Sequence, residues 1–98
     1  MPVTLTAEAA RCIRDGAREQ GLEEVLLRVA GRLEAGEPVF GLGFDERREQ
    51  DTEHESDGVT VLVSPPSLAL VDDLIIDYVE LAPGRSQFVF VHGAQAQG

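Results

Sequence analysis

The sequence predicts an α+β fold, with mostly antiparallel β-structure in two small sheets, an N-terminal helix and one short helix. Three observations predict it. A single stretch of helical periodicity near the start is followed by several segments that alternate apolar and small or polar residues, the pattern of half-buried strands. Those strands are not separated by helices in a strict βαβ order and no segment repeats, which argues against a parallel doubly wound sheet. Ninety-eight residues suffice for one modest core and not for two.

Thr6 is placed to cap the first helix, and Leu5 before it is placed to pack on Ala10 as a hydrophobic staple. The helix is expected from Ala7 to Glu19, with Ala9, Ala10, Ile13 and Ala17 on its buried stripe and Gly21 ending it. Cys12 lies beside that stripe and reads as a small apolar filler. In Glu24 to Ala30, Val25, Leu27 and Val29 alternate with Leu26 and Arg28, which marks a strand. Gly31 to Pro38, with two glycines and a proline, reads as a loop. Val39 to Phe44 is a second strand, with Phe40, Leu42 and Phe44 on one face and Gly41 and Gly43 on the other. The glycines imply either close backbone packing or a bulge, or approach by a partner or ligand.

Asp45 to Asp57 holds seven acids, Arg47, Arg48 and His54 and no large apolar residue, so it is expected as a solvated loop or a ragged edge. Its carboxylates lack the spacing of an EF-hand loop. Val59, Val61 and Val63 define the next strand. Ser64-Pro65-Pro66-Ser67 opens a short helix in which Ser67 caps Leu68 to Val71. A strand from Leu74 to Leu81, a turn at Pro83-Gly84 and a strand from Phe88 to Val91 complete the chain.

Composition narrows function. Eighteen acids stand against eight arginines and no lysine, a net charge of −10. That field repels phosphate backbones and anionic lipid and favours a protein partner with a basic surface, besides serving solubility. Without lysine there is no Schiff-base chemistry on a side chain and no P-loop. No apolar run approaches the roughly 18 residues of a membrane span. Met1-Pro2-Val3-Thr4 has neither a basic stretch nor an apolar core of a leader, and one cysteine excludes an internal disulfide; both fit a cytoplasmic address.

The order of several motifs resembles the A-type iron–sulfur carriers, the HesB/IscA-like family. They are Leu5-Thr6 with its alanine-rich helix, Leu27-Arg28-Val29, Gly43-Phe44-Asp45-Glu46, Gly58-Val59 with its valine strand, Ser67-Leu68, Asp77-Tyr78-Val79 and Phe88-Val89-Phe90. The resemblance covers about Val3 to His92, so residues 1–92 are expected as one HesB/IscA-like domain and 93–98 as a flexible tail. It implies three cluster-binding cysteines, the first in the loop after Leu27-Arg28-Val29, at about Ala35 or Gly36, and a Cys-x-Cys pair that falls beyond Gly98. No cysteine stands at the first of these positions. Leu74 to Phe90 is most similar to a branch that lacks the cysteines, represented by the IscA-like protein of dissimilatory sulfur oxidation.

Thiolates hold iron–sulfur clusters, so the resemblance without them implies a non-catalytic adaptor that binds other proteins in the maturation or regulation of sulfur-metabolism or iron–sulfur proteins, with no cofactor of its own. The alternative is an iron or iron–sulfur carrier that uses non-cysteine or partner-supplied ligands; Glu34, Glu37 and His92 are the residues for it. The candidates for partner binding are the carboxylates Glu34, Glu37, Asp45, Glu46, Glu49, Asp51, Glu53 and Glu55. No catalytic triad, phosphate loop or zinc-protease motif is present.

Overall fold

The structure, a computed structural model, describes residues 3 to 92, without the side chain of His92. The expected tail at 93–98 lies outside the described residues. Along the chain run β1 (Thr4–Leu5), α1 (Ala7–Glu19), β2 (Leu26–Glu34), β3 (Glu37–Phe44), β4 (Thr52–Ser56), β5 (Val59–Val63), a 3₁₀ turn (Pro65–Ser67), α2 (Leu68–Val71), β6 (Leu74–Ala82) and β7 (Arg85–His92). They form a three-stranded sheet ordered β1-β6-β7 and a four-stranded sheet ordered β3-β2-β5-β4. The three hairpin pairings, β2–β3, β4–β5 and β6–β7, are antiparallel, whereas β1–β6 and β2–β5 are parallel.

Thr6 does more than cap. Its Oγ1 accepts from the Ala9 amide at 3.2 Å and donates to Asp77 Oδ1 at 2.7 Å, so one hydroxyl both starts α1 and ties it to β6. A lost N-cap alone costs about 1 kcal/mol. At the other end the Leu22 amide reaches the Ala17 carbonyl and the Gly21 amide that of Arg18, with Gly21 at φ 73°, which closes the helix in a Schellman motif. Ala9, Ala10, Ile13 and Ala17 are buried as expected. The core they enter combines Leu27 and Val29 of β2, Val59, Val61 and Val63 of β5, and Leu74 and Ile76 of β6. Where β1 and β4 meet, the Leu5 amide donates to Ser56 Oγ at 3.0 Å and His54 Nε2 lies 2.6 Å from the Val3 carbonyl, linking the two sheets.

Four expectations change. Gly31 to Pro38 is not a loop: β2 and β3 continue to Glu34 and Glu37 and close on a two-residue turn, Ala35 and Gly36, at φ 51° and 81°. Positive φ at both central residues gives the twist a tight hairpin needs, and an Ala-Gly pair hides that signal better than Asn-Gly. The acidic segment is half strand, because Thr52–Ser56 pairs with Val63–Val59 around the turn Asp57-Gly58, and β4 is an edge of its sheet. Ser67 makes no side-chain cap; its Oγ bonds the backbone of Gly31, accepting from the amide at 3.2 Å and donating to the carbonyl at 3.3 Å. The last strand is longer than Phe88 to Val91, running from Arg85 to His92.

Candidate functional site

The alternation that buries Leu27 and Val29 sends the Arg28 side chain to the opposite, outer face of the four-stranded sheet. Arg28 pairs with Gly43 on β3 and with Leu62 on β5. Leu62 faces outward too, away from the valines at 61 and 63, yet it is 0% exposed. Its register neighbours on that face are Arg28 on β2 and Glu53 on β4. The guanidinium donates Nε to Asp45 Oδ2 at 2.5 Å, its two terminal nitrogens to both oxygens of Asp51 at 2.8 and 2.7 Å, and one of them also to the Glu46 carbonyl at 3.0 Å. Asp51 accepts the Arg48 amide at 2.8 Å, and the Asp45 amide donates to the Leu26 carbonyl at 3.2 Å. Residues 45–51 thus form a strap held by a fork-shaped cation between two carboxylates.

Electrostatics follow the geometry. The hydrogen bonds from Arg28 hold Asp51 down to about 2, and the amide of Glu46, then Arg28, lowers Asp45. The hydrogen bond to Asp51 raises Arg28 further above its ordinary range. The side chain of Arg28 is 12% exposed and that of Asp51 only 2%.

This arrangement sorts the eight candidate carboxylates. Asp51 is buried and spent on Arg28, which removes it from any partner surface. Asp45 is committed to Arg28 and Arg48. Glu53 shares Arg47 with Glu24, and Glu34 pairs with Arg32. Glu37, Glu46, Glu49 and Glu55 are exposed and, among the described residues, in no ion pair. Sequence reasoning missed Arg28. The available signals were an arginine flanked by two core residues on a strand, and a leucine at 62 on the face of the valine strand expected to be polar.

The glycine face of β3 is open. A side chain at Gly41 or Gly43 would meet nothing within 4 Å, and the β2–β3 register runs through them without a shift, so neither close packing nor a bulge accounts for them. A shallow concavity of about 210 Å³ lies there, bordered by Arg28, Ala30 and Asp45. The close packing is at Gly31, where an added Cβ would lie 3.0 Å from Leu70.

The position implied for the first cluster cysteine, Ala35 or Gly36, is the tip of the β2–β3 hairpin, and neither residue offers a donor atom in its side chain. Glu34 and Glu37 face each other across that turn. The side chain of His92 lies outside the described residues. Cys12, half-buried on α1, is free. Among the described residues no group of three or more His, Cys, Asp or Glu is placed to hold a metal ion, so the described donors do not fit a cluster. No helix among them is long and apolar enough to cross a membrane.

No protein-family model matches the sequence. Individual relatives do. The chain is 37% identical over 92 residues to the iron-sulfur cluster insertion protein ErpA of Xanthomonas campestris pv. campestris, covering 90% of this chain and 70% of that one. It is 37% identical over 91 residues to the putative iron-sulfur cluster insertion protein ErpA of Methylobacillus flagellatus, covering 90% and 76%. It is 37% identical over 79 residues to the uncharacterized protein SufA of Bacillus subtilis and spans 66% of that protein's length. The fold matches the crystal structures of Escherichia coli SufA, at a TM-score of 0.79 and 24% identity over 93% of this chain and 80% of that one, and of IscA with the [2Fe-2S] cluster, at 0.75 and 23% over 93% and 85%.

Proposed function

We propose, for a chain that belongs to the A-type iron–sulfur carrier family of HesB/IscA-like proteins, that it acts as a non-catalytic adaptor in the maturation or regulation of iron–sulfur proteins, those of sulfur metabolism included. It works by binding another protein, without a cluster of its own, in the cytoplasm. The observation that carries this reading is the hairpin tip at Ala35-Gly36: the fold supports the turn, while the thiolate that the family resemblance implies there is missing. Its single cysteine is committed to α1. The reading also places the chain in a branch without cluster cysteines, similar to the IscA-like protein of dissimilatory sulfur oxidation. The partner surface is Glu37, Glu46, Glu49 and Glu55, supported by their exposure and lack of ion pairs, and it calls for a basic partner. Nucleic acid and membrane are not the partners of this reading.

A second reading rests on Glu34 and Glu37, which face each other across the same tip: an iron or iron–sulfur carrier in which these carboxylates combine with ligands supplied by a partner. A transfer assay separates the two. The chain is mixed with a cluster-loaded A-type carrier and an apo iron–sulfur protein, and native mass spectrometry follows iron and sulfide on each chain. An adaptor forms a complex with one of them or changes the transfer rate while its own mass never gains iron or sulfide. Iron on this chain, lost in Glu34→Gln with Glu37→Gln, would reverse the preference.

A further inference from the structure

The outer halves of β6 and β7 form an arm whose surface chemistry differs from that of the rest of the chain. From Glu80 to Gln87 every residue is exposed, including Leu81 at 62%. The tilted ring pair Tyr78 and Phe88, with centroids 4.8 Å apart, lies at its base. The arm carries a concavity of about 650 Å³, with Leu81, Arg85, Ser86 and Gln87 among the residues on its wall.

Arg85 is the telling residue. Of the eight arginines, six are in ion pairs and Arg14 donates to the Asp57 carbonyl. Among the described arginines Arg85 alone has neither an ion pair nor a side-chain hydrogen bond. This is an unusual position for a cation in a chain with 18 acids. The one carboxylate nearby in the arm, Glu80, accepts from the Gly84 amide at 3.2 Å, and β7 itself contains no acid. Arg85 lies an odd number of residues from Phe88, the partner of Tyr78, so its guanidinium faces away from the tyrosine ring, which packs toward the core. With the exposed Leu81 of the same arm it presents charge and apolar area together, the combination that anchors a side chain carrying a carboxylate next to apolar neighbours.

We propose that the β6–β7 arm is a second docking surface, which takes a segment of another protein bearing a carboxylate flanked by apolar side chains, with Arg85 on the carboxylate and Leu81 on its apolar neighbours. It goes beyond the adaptor reading and stands independently of it, since no step involves a cluster or the acidic face. A second copy of this chain is disfavoured as occupant by the mutual repulsion of two bodies of charge −10.

The test uses two defined peptides, Ac-Gly-Leu-Asp-Leu-Gly-NH2 and its Asp→Asn counterpart, titrated at low salt into the ¹⁵N-labelled chain while backbone amide shifts are recorded. The acidic peptide is expected to shift the amides of Leu81 and residues 85–87, with affinity at least about tenfold above that of the neutral peptide. Arg85→Gln is expected to erase that difference and Arg85→Lys to keep part of it. Unchanged amides of Leu27 and Val29 verify that each variant is folded. Equal responses to the two peptides, shifts centred elsewhere, no shifts, or an undiminished response of Arg85→Gln would overturn the proposal. So would concentration-dependent self-association that maps to the arm without peptide, which would assign the surface to a second copy.

Discussion

At the scale of single residues, Arg28 and Asp51 have the clearest physical consequences. A bidentate pair with one partner 2% and the other 12% exposed is screened little by solvent, so removing one member leaves the other charge uncompensated. The pH dependence has a definite sign. Asp51 falls from an ordinary value of 3.8 to about 2 in the folded state, so the unfolded chain binds the proton more readily. The stabilisation is therefore present in full above about 4 and is lost as pH falls from there toward 2. Arg28 is raised, and its contribution is lost only at strongly alkaline pH. Thermal melts between pH 7 and 2 should show the wild type losing stability most steeply below about pH 4. Asp51→Asn should be less stable at neutral pH and show a shallower acid slope. An identical acid slope in the variant would mean that other carboxylates dominate acid unfolding.

At the scale of elements, the segment from Asp45 to Ser56 is a strap of seven residues and an edge strand of five, and the two halves use their acids differently. In the strap Asp45 and Asp51 turn inward to Arg28, while Glu46 and Glu49 remain outside; on β4 Glu55 is outside and Glu53 pairs with Arg47. Replacing Glu46, Glu49 and Glu55 together by glutamine should slow association with a basic partner by roughly threefold to tenfold at low salt while leaving dissociation nearly unchanged, because rim charges act on encounter. Salt at physiological strength, which screens beyond roughly 8 Å, should shrink the difference. Stopped-flow association at low and high salt checks this, and equal rates would mean that these acids serve solubility alone. The helix from Ala7 to Glu19 and the valine strand were legible because capping and period are local signals. The hairpin at Ala35-Gly36 was not, since glycines and a proline near a tight turn read the same as a loop. Nor was the strap, because a run of acids looks solvated until the sheet brings Arg28, 17 and 23 residues away in sequence, beside it.

At the scale of the whole molecule, the chain matches the fold of Escherichia coli SufA over 93% of its length, and the described donors do not fit the family's cluster. The α+β class with two sheets was legible in the sequence, but the parallel pairings β1–β6 and β2–β5 were not, since they join segments whose patterns carry no trace of their neighbours. The absence of a thiolate at the hairpin tip was legible once the family order was recognised, whereas its position on a turn rather than in a loop required the structure. The central claim is that this scaffold binds proteins without carrying a cluster. Anaerobic reconstitution of the purified chain with ferrous iron and sulfide, followed by desalting, visible absorption and iron and sulfide assays, tests it most directly. The account predicts a colourless protein with substoichiometric iron and sulfide, the same for wild type and Cys12→Ser. A charge-transfer band with stoichiometric iron and sulfide that vanishes in Cys12→Ser would contradict it and point to a cluster bridged between two chains.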